Sequence, residues 1–264
     1  ENGGGVAASY LMTSRNSILP IKTYRELEVD PLNELATHFS KLSEGESAVM
    51  QILMRPSPKK FSKLAFKITK KMQEGMSFEK AYHAAVKSWI MPHKVKVEKV
   101  NPILTPQDQE TIKAIESHAS KTNFETNIRL VASAPTQERA ELVLKDFESA
   151  FNQFNLPNLN TFSESREKIK NIIFEFSFRL FDEARKITLS SEELASIYHL
   201  PHAGNKVPKI KWLKARSAPA PWGMSDGPYL GWNDFRSQQV VVRIAPDDRR
   251  RHAYVVGQTG TGKS

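Results

Sequence analysis

The run Gly257-Gln258-Thr259-Gly260-Thr261-Gly262-Lys263-Ser264 is spaced as G-x-x-x-x-G-K-[ST], the pattern of a phosphate-binding loop. Glycines at this spacing let the backbone bend until successive N–H groups point at one phosphate. Lys263 would then reach the β- and γ-phosphates of ATP, and the Ser264 hydroxyl would ligate Mg2+. The catalytic role falls on Lys263, the metal contact on Ser264, and the nucleotide cradle on Gly257, Gln258, Thr259, Gly260, Thr261, Gly262, Lys263 and Ser264. A strand must deliver the loop, and Ala253-Tyr254-Val255-Val256 is short, apolar and correctly placed. A helix should open at the Lys-Ser pair, its positive end facing the anion. The sequence stops at Ser264. That helix, and the acidic residue that holds Mg2+ on a later strand, are therefore expected beyond it, and this polypeptide alone is expected to be inactive.

Other residue sets suit anion binding without covalent chemistry. On a helix expected after Pro58, Phe61, Leu64, Ala65, Ile68 and Met72 share one face, while Lys59, Lys60, Lys63, Lys67, Lys70 and Lys71 fan over the opposite arc. From Arg55 to Lys99 there are 12 Lys+Arg and 3 Asp+Glu, which equals the whole charge excess of the chain. Such an arc fits DNA phosphates or anionic lipid headgroups; it equally fits the solvated outer face of a packed helix. Few aromatics interleave with the lysines, which disfavours a base-stacking platform. Arg249, Arg250 and Arg251 suit contact with DNA or a neighbouring subunit's nucleotide, and equally a solvated turn after Asp247-Asp248. His199 and His202 lack a third ligand at convincing spacing, and Pro201 interrupts them, so they read as a loop pair. Neither a Ser-centred nucleophile elbow nor an H-E-x-x-H site is present.

Composition narrows the classes further. The 264 residues hold 38 Lys+Arg against 29 Asp+Glu, a net charge of +9 that favours anionic partners. With 39% hydrophobic and 25% charged residues, the chain is neither disordered nor fibrous. Zero Cys excludes disulfides, thiolate zinc sites and cysteine nucleophiles, and fits a reducing compartment. No stretch approaches the roughly 18 apolar residues of a membrane-spanning helix. The start, Glu1-Asn2-Gly3-Gly4-Gly5, lacks the basic head and apolar core of a signal peptide. Without an initiator Met it is expected not to be the native start, which leaves an upstream membrane anchor open.

The elements around these residues divide the chain at its glycines and prolines. Between Val6 and His202 the only glycines are Gly45 and Gly75, so regular structure is expected there. Asp30-Pro31 starts a helix to about Leu42, a strand covers Val49 to Arg55, and the basic helix follows. Thr105-Pro106-Gln107-Asp108 starts a second helix to Lys121, followed by a strand from Asn127 to Ala134 and a helix from Thr136 to Phe154. Asn158–Phe162 and Ile172–Leu180 read as further strands, and Ser190-Ser191-Glu192-Glu193 caps a short helix toward Leu200. The doubled helix–strand–helix order predicts an α+β chain of tandem ferredoxin-like sandwich repeats. The expected domains are residues 1–100 with the basic helix, residues 101–200 as second repeat, an extended Pro/Gly/Trp-rich connector over 201–238, and the first strands of a truncated P-loop ATPase domain over 239–264.

The loop Thr259–Ser264, preceded by Arg249-Arg250-Arg251-His252-Ala253-Tyr254-Val255-Val256-Gly257, resembles the DNA-pumping ATPases of conjugation and type IV secretion, in the HerA/FtsK branch of P-loop ATPases. In that group an Arg-His pair before the strand and a T-G-[TS]-G-K-S loop are common. Leu230-Gly231-Trp232 and Val240–Ala245 fit the β-hairpin that usually leads into the loop. Residues Glu46 to Leu200 resemble more loosely the domain preceding the motor in some bacterial members, through Gly45–Pro56, Asn127–Phe151 and Glu192–His202. The resemblance implies a homo-oligomer, usually a hexameric ring, that couples hydrolysis of ATP with Mg2+ to moving DNA or passing substrates to a membrane pore. It also implies a cytoplasmic protein at the inner face of the membrane, docked on the secretion machinery. That family's acidic Mg2+ residue and arginine finger have no counterpart here. Two other readings stay open: a non-enzymatic DNA-binding or assembly platform with nucleotide as switch, and a HerA-like DNA repair translocase that never meets a membrane.

Overall fold

Residues 4–90, 104–200, 218–220, 223, 226–236 and 238–251 are described by the computed structural model. They belong to two units, Glu1–Lys209 and Ile210–Ser264. The first unit is built on β1 (Gly5–Thr13), α1 (Pro31–Ser40) and β2 (Ser47–Pro56), then α2 (Lys60–Gln73), α3 (Phe78–Ile90) and α4 (Pro106–Ser120). It continues with β3 (Asn123–Ala134), α5 (Gln137–Ser149), β4 (Phe162–Ser165), α6 (Ile169–Phe178), β5 (Ile187–Ser190) and α7 (Ser191–Ile197). The architecture is mixed α+β with antiparallel pairing throughout.

The five-stranded sheet runs β2-β3-β1-β4, and β5 pairs with β3. Registers such as Ile52↔Ile128, Ala7↔Ala132 and Leu11↔Glu164 fix the strands in place. β1 and β2 are both antiparallel to β3, so they run parallel to one another with β3 between them. β3 and β4 flank β1 in the same way. Two βαβ units thus interleave, each filling the strand gap the other leaves open. This corrects the expectation of one sandwich in residues 1–100 and a second in 101–200. A split βαβ unit leaves backbone donors and acceptors unpaired along both inner edges, and only the partner half can satisfy them.

One face of the sheet carries α1 and α5. Ala7, Leu11, Ile128, Leu130 and Ala132 meet Leu35, Val143, Leu144 and Phe147 there, and the Phe39 and Phe147 rings lie 4.7 Å apart. The opposite face carries α6, whose Ile172 packs on Ala8 and Tyr10. Helices α2, α3 and α4 form a separate apolar cluster around Ala65, Ile68, Met72, Ala81 and Ile115.

Local chemistry sets the helix starts. The Asp30 carboxylate accepts from Leu32 N at 2.9 Å. Thr105 with Asp108, and Ser190 with Glu193, form reciprocal capping boxes. Three elements escape the sequence pattern. β1 is rich in small residues, because a Cβ on Gly5 would lie 2.3 Å from Gln137 Cα. α3 and the four-residue β5 are the other two. Two expected strands are corrected. Ile172–Leu180 lies mostly in α6, whose Ile172 is buried against the sheet with Ile173 packed beside it. Asn158–Phe162 holds only a bridge between Leu156 and Asn160, and β4 starts at Phe162. Buried Asn160 donates to Leu19 O at 2.8 Å and accepts from Arg15 N at 3.0 Å, which bends this stretch into a loop.

In the second unit, β6 (Tyr229–Phe235) and β7 (Gln238–Arg243) form an antiparallel hairpin. Gly227 sits at φ 97°, and a Cβ there would lie 2.0 Å from Ile244 O, so the base of the hairpin demands glycine.

Candidate functional site

The lysine arc is real and belongs to α2. Its apolar side, Ala65, Ile68 and Met72, is buried against α3 and α4, which forces the cationic side outward. Lys59, Lys60, Lys63 and Lys70 are exposed, and Lys67 and Lys71 are half-buried along their stems. Among the described residues none of the six forms an ion pair. Phe66, 45% exposed, borders the same arc between Lys63 and Lys70. The arrangement is a cationic strip about 18 Å long, at 1.5 Å rise per residue, with one aromatic ring at its margin. It can neutralise a row of phosphates; it carries no group placed for proton transfer.

The arginine triplet follows the hairpin. Asp248–Arg250 form a single 3-10 turn, and Arg249, Arg250 and Arg251 are all exposed. Arg251 pairs with Asp248 at 3.4 Å. Arg249 and Arg250 have no acidic partner among the described residues. The strand expected at Ala253–Val256 and all eight loop residues, Gly257 to Ser264, lie outside the described residues, as does His202. His199 Nε2 lies 2.8 Å from Asp30 Oδ1, and its Nδ1 contacts Leu200 O at 3.0 Å. Burial pushes its pKa down, but the Leu200 carbonyl and the Asp30 carboxylate outweigh this and raise it.

A family model matches residues 1–213, the whole of the split βαβ unit. The chain belongs to the family described as Domain of unknown function (DUF8128). No curated protein and no solved structure matches it.

Two polar centres of this DUF8128 domain were missed by the sequence reading. The first is His118 with Glu193, both about 1% exposed, whose Nε2 and Oε2 lie 3.0 Å apart. They sit at the floor of a cleft of about 450 Å3 whose rim includes Arg25, Lys121 and Glu192. Nε2 is outside hydrogen-bond geometry, so the attraction is chiefly one of opposite charges. Burial opposes the charge on each group. It is outweighed at His118 by Glu193 and the Ile18 carbonyl, and at Glu193 by His118 and the amides of Ser190 and Ile21. His118 is therefore raised and Glu193 lowered, and both stay ionised over a wide range. With Nδ1 engaged by Ile18 O at 3.1 Å, the imidazolium has no free lone pair and cannot serve as a base. The pair is a tie between α4, α7 and the Ile18–Ile21 loop.

The second centre is Arg129 on β3, fully buried beneath α6. Its Nε donates to Tyr10 Oη at 2.7 Å and its Nη1 to Gln51 Oε1 at 2.8 Å. Its Nη2 donates to Leu180 O and lies 3.6 Å from Glu175 Oε2. Tyr10 donates to Glu175 in turn, and burial followed by that carboxylate pushes the Tyr10 pKa well up. The only hint in the sequence was one Arg among the apolar residues of a strand.

Proposed function

We propose that the chain is the N-terminal part of an ATP-dependent motor that translocates DNA or another substrate in a type IV secretion or conjugation system. The single observation that carries this reading is the G-x-x-x-x-G-K-S run at Gly257–Ser264, preceded by the β6–β7 hairpin that the resemblance called for. In this reading Lys263 contacts the β- and γ-phosphates of ATP, Ser264 ligates Mg2+, and the DUF8128 domain presents DNA through the lysines of α2. Arg249 and Arg250 reach DNA or a neighbouring subunit's nucleotide, the motor assembles as a hexamer, and it works in the cytoplasm at the inner face of the membrane. No helix among the described residues is long and apolar enough to cross a membrane.

Steady-state ATP turnover of the full-length protein, with and without DNA, tests the reading beside a Lys263→Ala variant. DNA-stimulated turnover that the variant loses is the expected outcome. A folded protein that binds nucleotide yet shows no turnover would replace the motor by a nucleotide-switched platform.

A further inference from the structure

We propose that the outer face of α6 is a lipid-docking surface, which seats Phe174 and Phe178 among the headgroups of an anionic bilayer. On a helix buried on one side only, the outward arc should be polar. Here it is not: Phe174 is 57% exposed and Phe178 65%, and their rings lie 4.8 Å apart. Leu180 extends the apolar strip just beyond the helix, at 44% exposed. Two neighbouring aromatics held in water are an unfavourable surface unless something covers them.

The charges around the strip say what covers it. Its acidic neighbours are mostly committed to the protein. Glu167 is paired with Arg185, Glu175 with Arg129 and Tyr10, and Glu183 with Arg55 and Lys186. Asp182 Oδ1 accepts from Ala184 N at 2.8 Å. The cations Lys168, Lys170 and Arg179 have no ion-pair partner among the described residues. Exposed aromatics flanked by free cations are the composition of a helix lying in the plane of an anionic membrane surface. A second copy laid on the same face would instead bring six like charges together, which argues against self-association.

The support beneath the strip is rigid. Arg129 donates to the carbonyls of Glu175 and Leu180, and Gln51 Nε2 donates to Phe176 O at 3.0 Å. The last turn of α6 is therefore clamped to the sheet, and Arg179 closes it at φ 52°. Docking would order little that is not already ordered. The inference does not rest on the nucleotide loop, and a Lys263→Ala protein would serve equally in its test.

The lysines of α2 also attract anionic lipid, so the test must report from α6 itself. The chain contains no cysteine, and Ser177→Cys, on the outward arc, can carry a single environment-sensitive label. Vesicles of phosphatidylglycerol and phosphatidylcholine should blue-shift the label and allow quenching by brominated lipid, whereas phosphatidylcholine alone should not. Phe174→Ser with Phe178→Ser should weaken co-sedimentation with the anionic vesicles about tenfold. With vesicles present, either of two results would overturn the proposal: a label that stays aqueous while the vesicles bind the protein, or unchanged co-sedimentation of the double variant. A label shift that follows protein concentration without vesicles would overturn it in favour of self-association.

Discussion

Arg129 is the residue on which the face under α6 depends most. Its guanidinium is fully buried and bonds Tyr10, Gln51 and two main-chain carbonyls. Truncation would leave those acceptors and the Glu175 carboxylate without their cation. Arg129→Ala should therefore lower the free energy of unfolding by about 3–5 kcal/mol, read as a lower urea midpoint. The His118–Glu193 pair makes a different prediction, because its contribution changes with pH. His118 is raised in the fold, so its contribution is complete below the ordinary histidine value of about 6.5 and is lost as pH climbs through the raised value. Glu193 is lowered, so its contribution is complete above the ordinary carboxylate range and is lost as pH falls through the lowered value. Stability should plateau between those limits and decline on both sides. Lys121, Arg25, Glu26 and Glu192 face the same cleft. In His118→Gln the decline above neutral pH should disappear from thermal denaturation curves; an unchanged decline would place it elsewhere.

Among the elements, caps and close contacts were legible to different degrees. Pro31, Thr105-Pro106 and Ser190 with Glu193 announce helix starts by short-range chemistry, and α1, α4 and α7 begin there. Ser190→Ala should cost about 1–2 kcal/mol, since its hydroxyl accepts from the buried Glu193 N–H. β1 was illegible because its small residues answer to a neighbour far along the chain, the start of α5. Gly5→Val should destabilise by about 1–3 kcal/mol through the forced separation of β1 from Gln137, measured by chemical denaturation. α6 escapes its local pattern for another reason. Phe174, Phe176 and Phe178 alternate as a strand would, yet the chain is helical and leaves two of the three outside. A pattern that serves an outer surface does not report the fold of the segment bearing it.

At the scale of the whole molecule, the sequence displayed both halves of the sheet but not their interleaving. Pairing β1 with β3 joins residues more than a hundred positions apart, and no local period encodes that register. The lysine arc was legible because helical spacing and charge coincide on α2; that its cations lack acidic partners among the described residues became visible only in three dimensions. If those cations meet phosphates, each lysine replaced by a neutral residue should reduce the slope of log affinity against log salt by about one. We propose that this domain feeds DNA to a P-loop motor. Its most direct measurement is DNA-stimulated ATP turnover of the full-length protein carrying Lys63→Glu, Lys67→Glu and Lys70→Glu, against the unaltered protein. Turnover without DNA should be unchanged, and the DNA concentration for half-maximal stimulation should rise about tenfold or more. Stimulation at the same DNA concentration in both proteins, or no turnover in either, would contradict it.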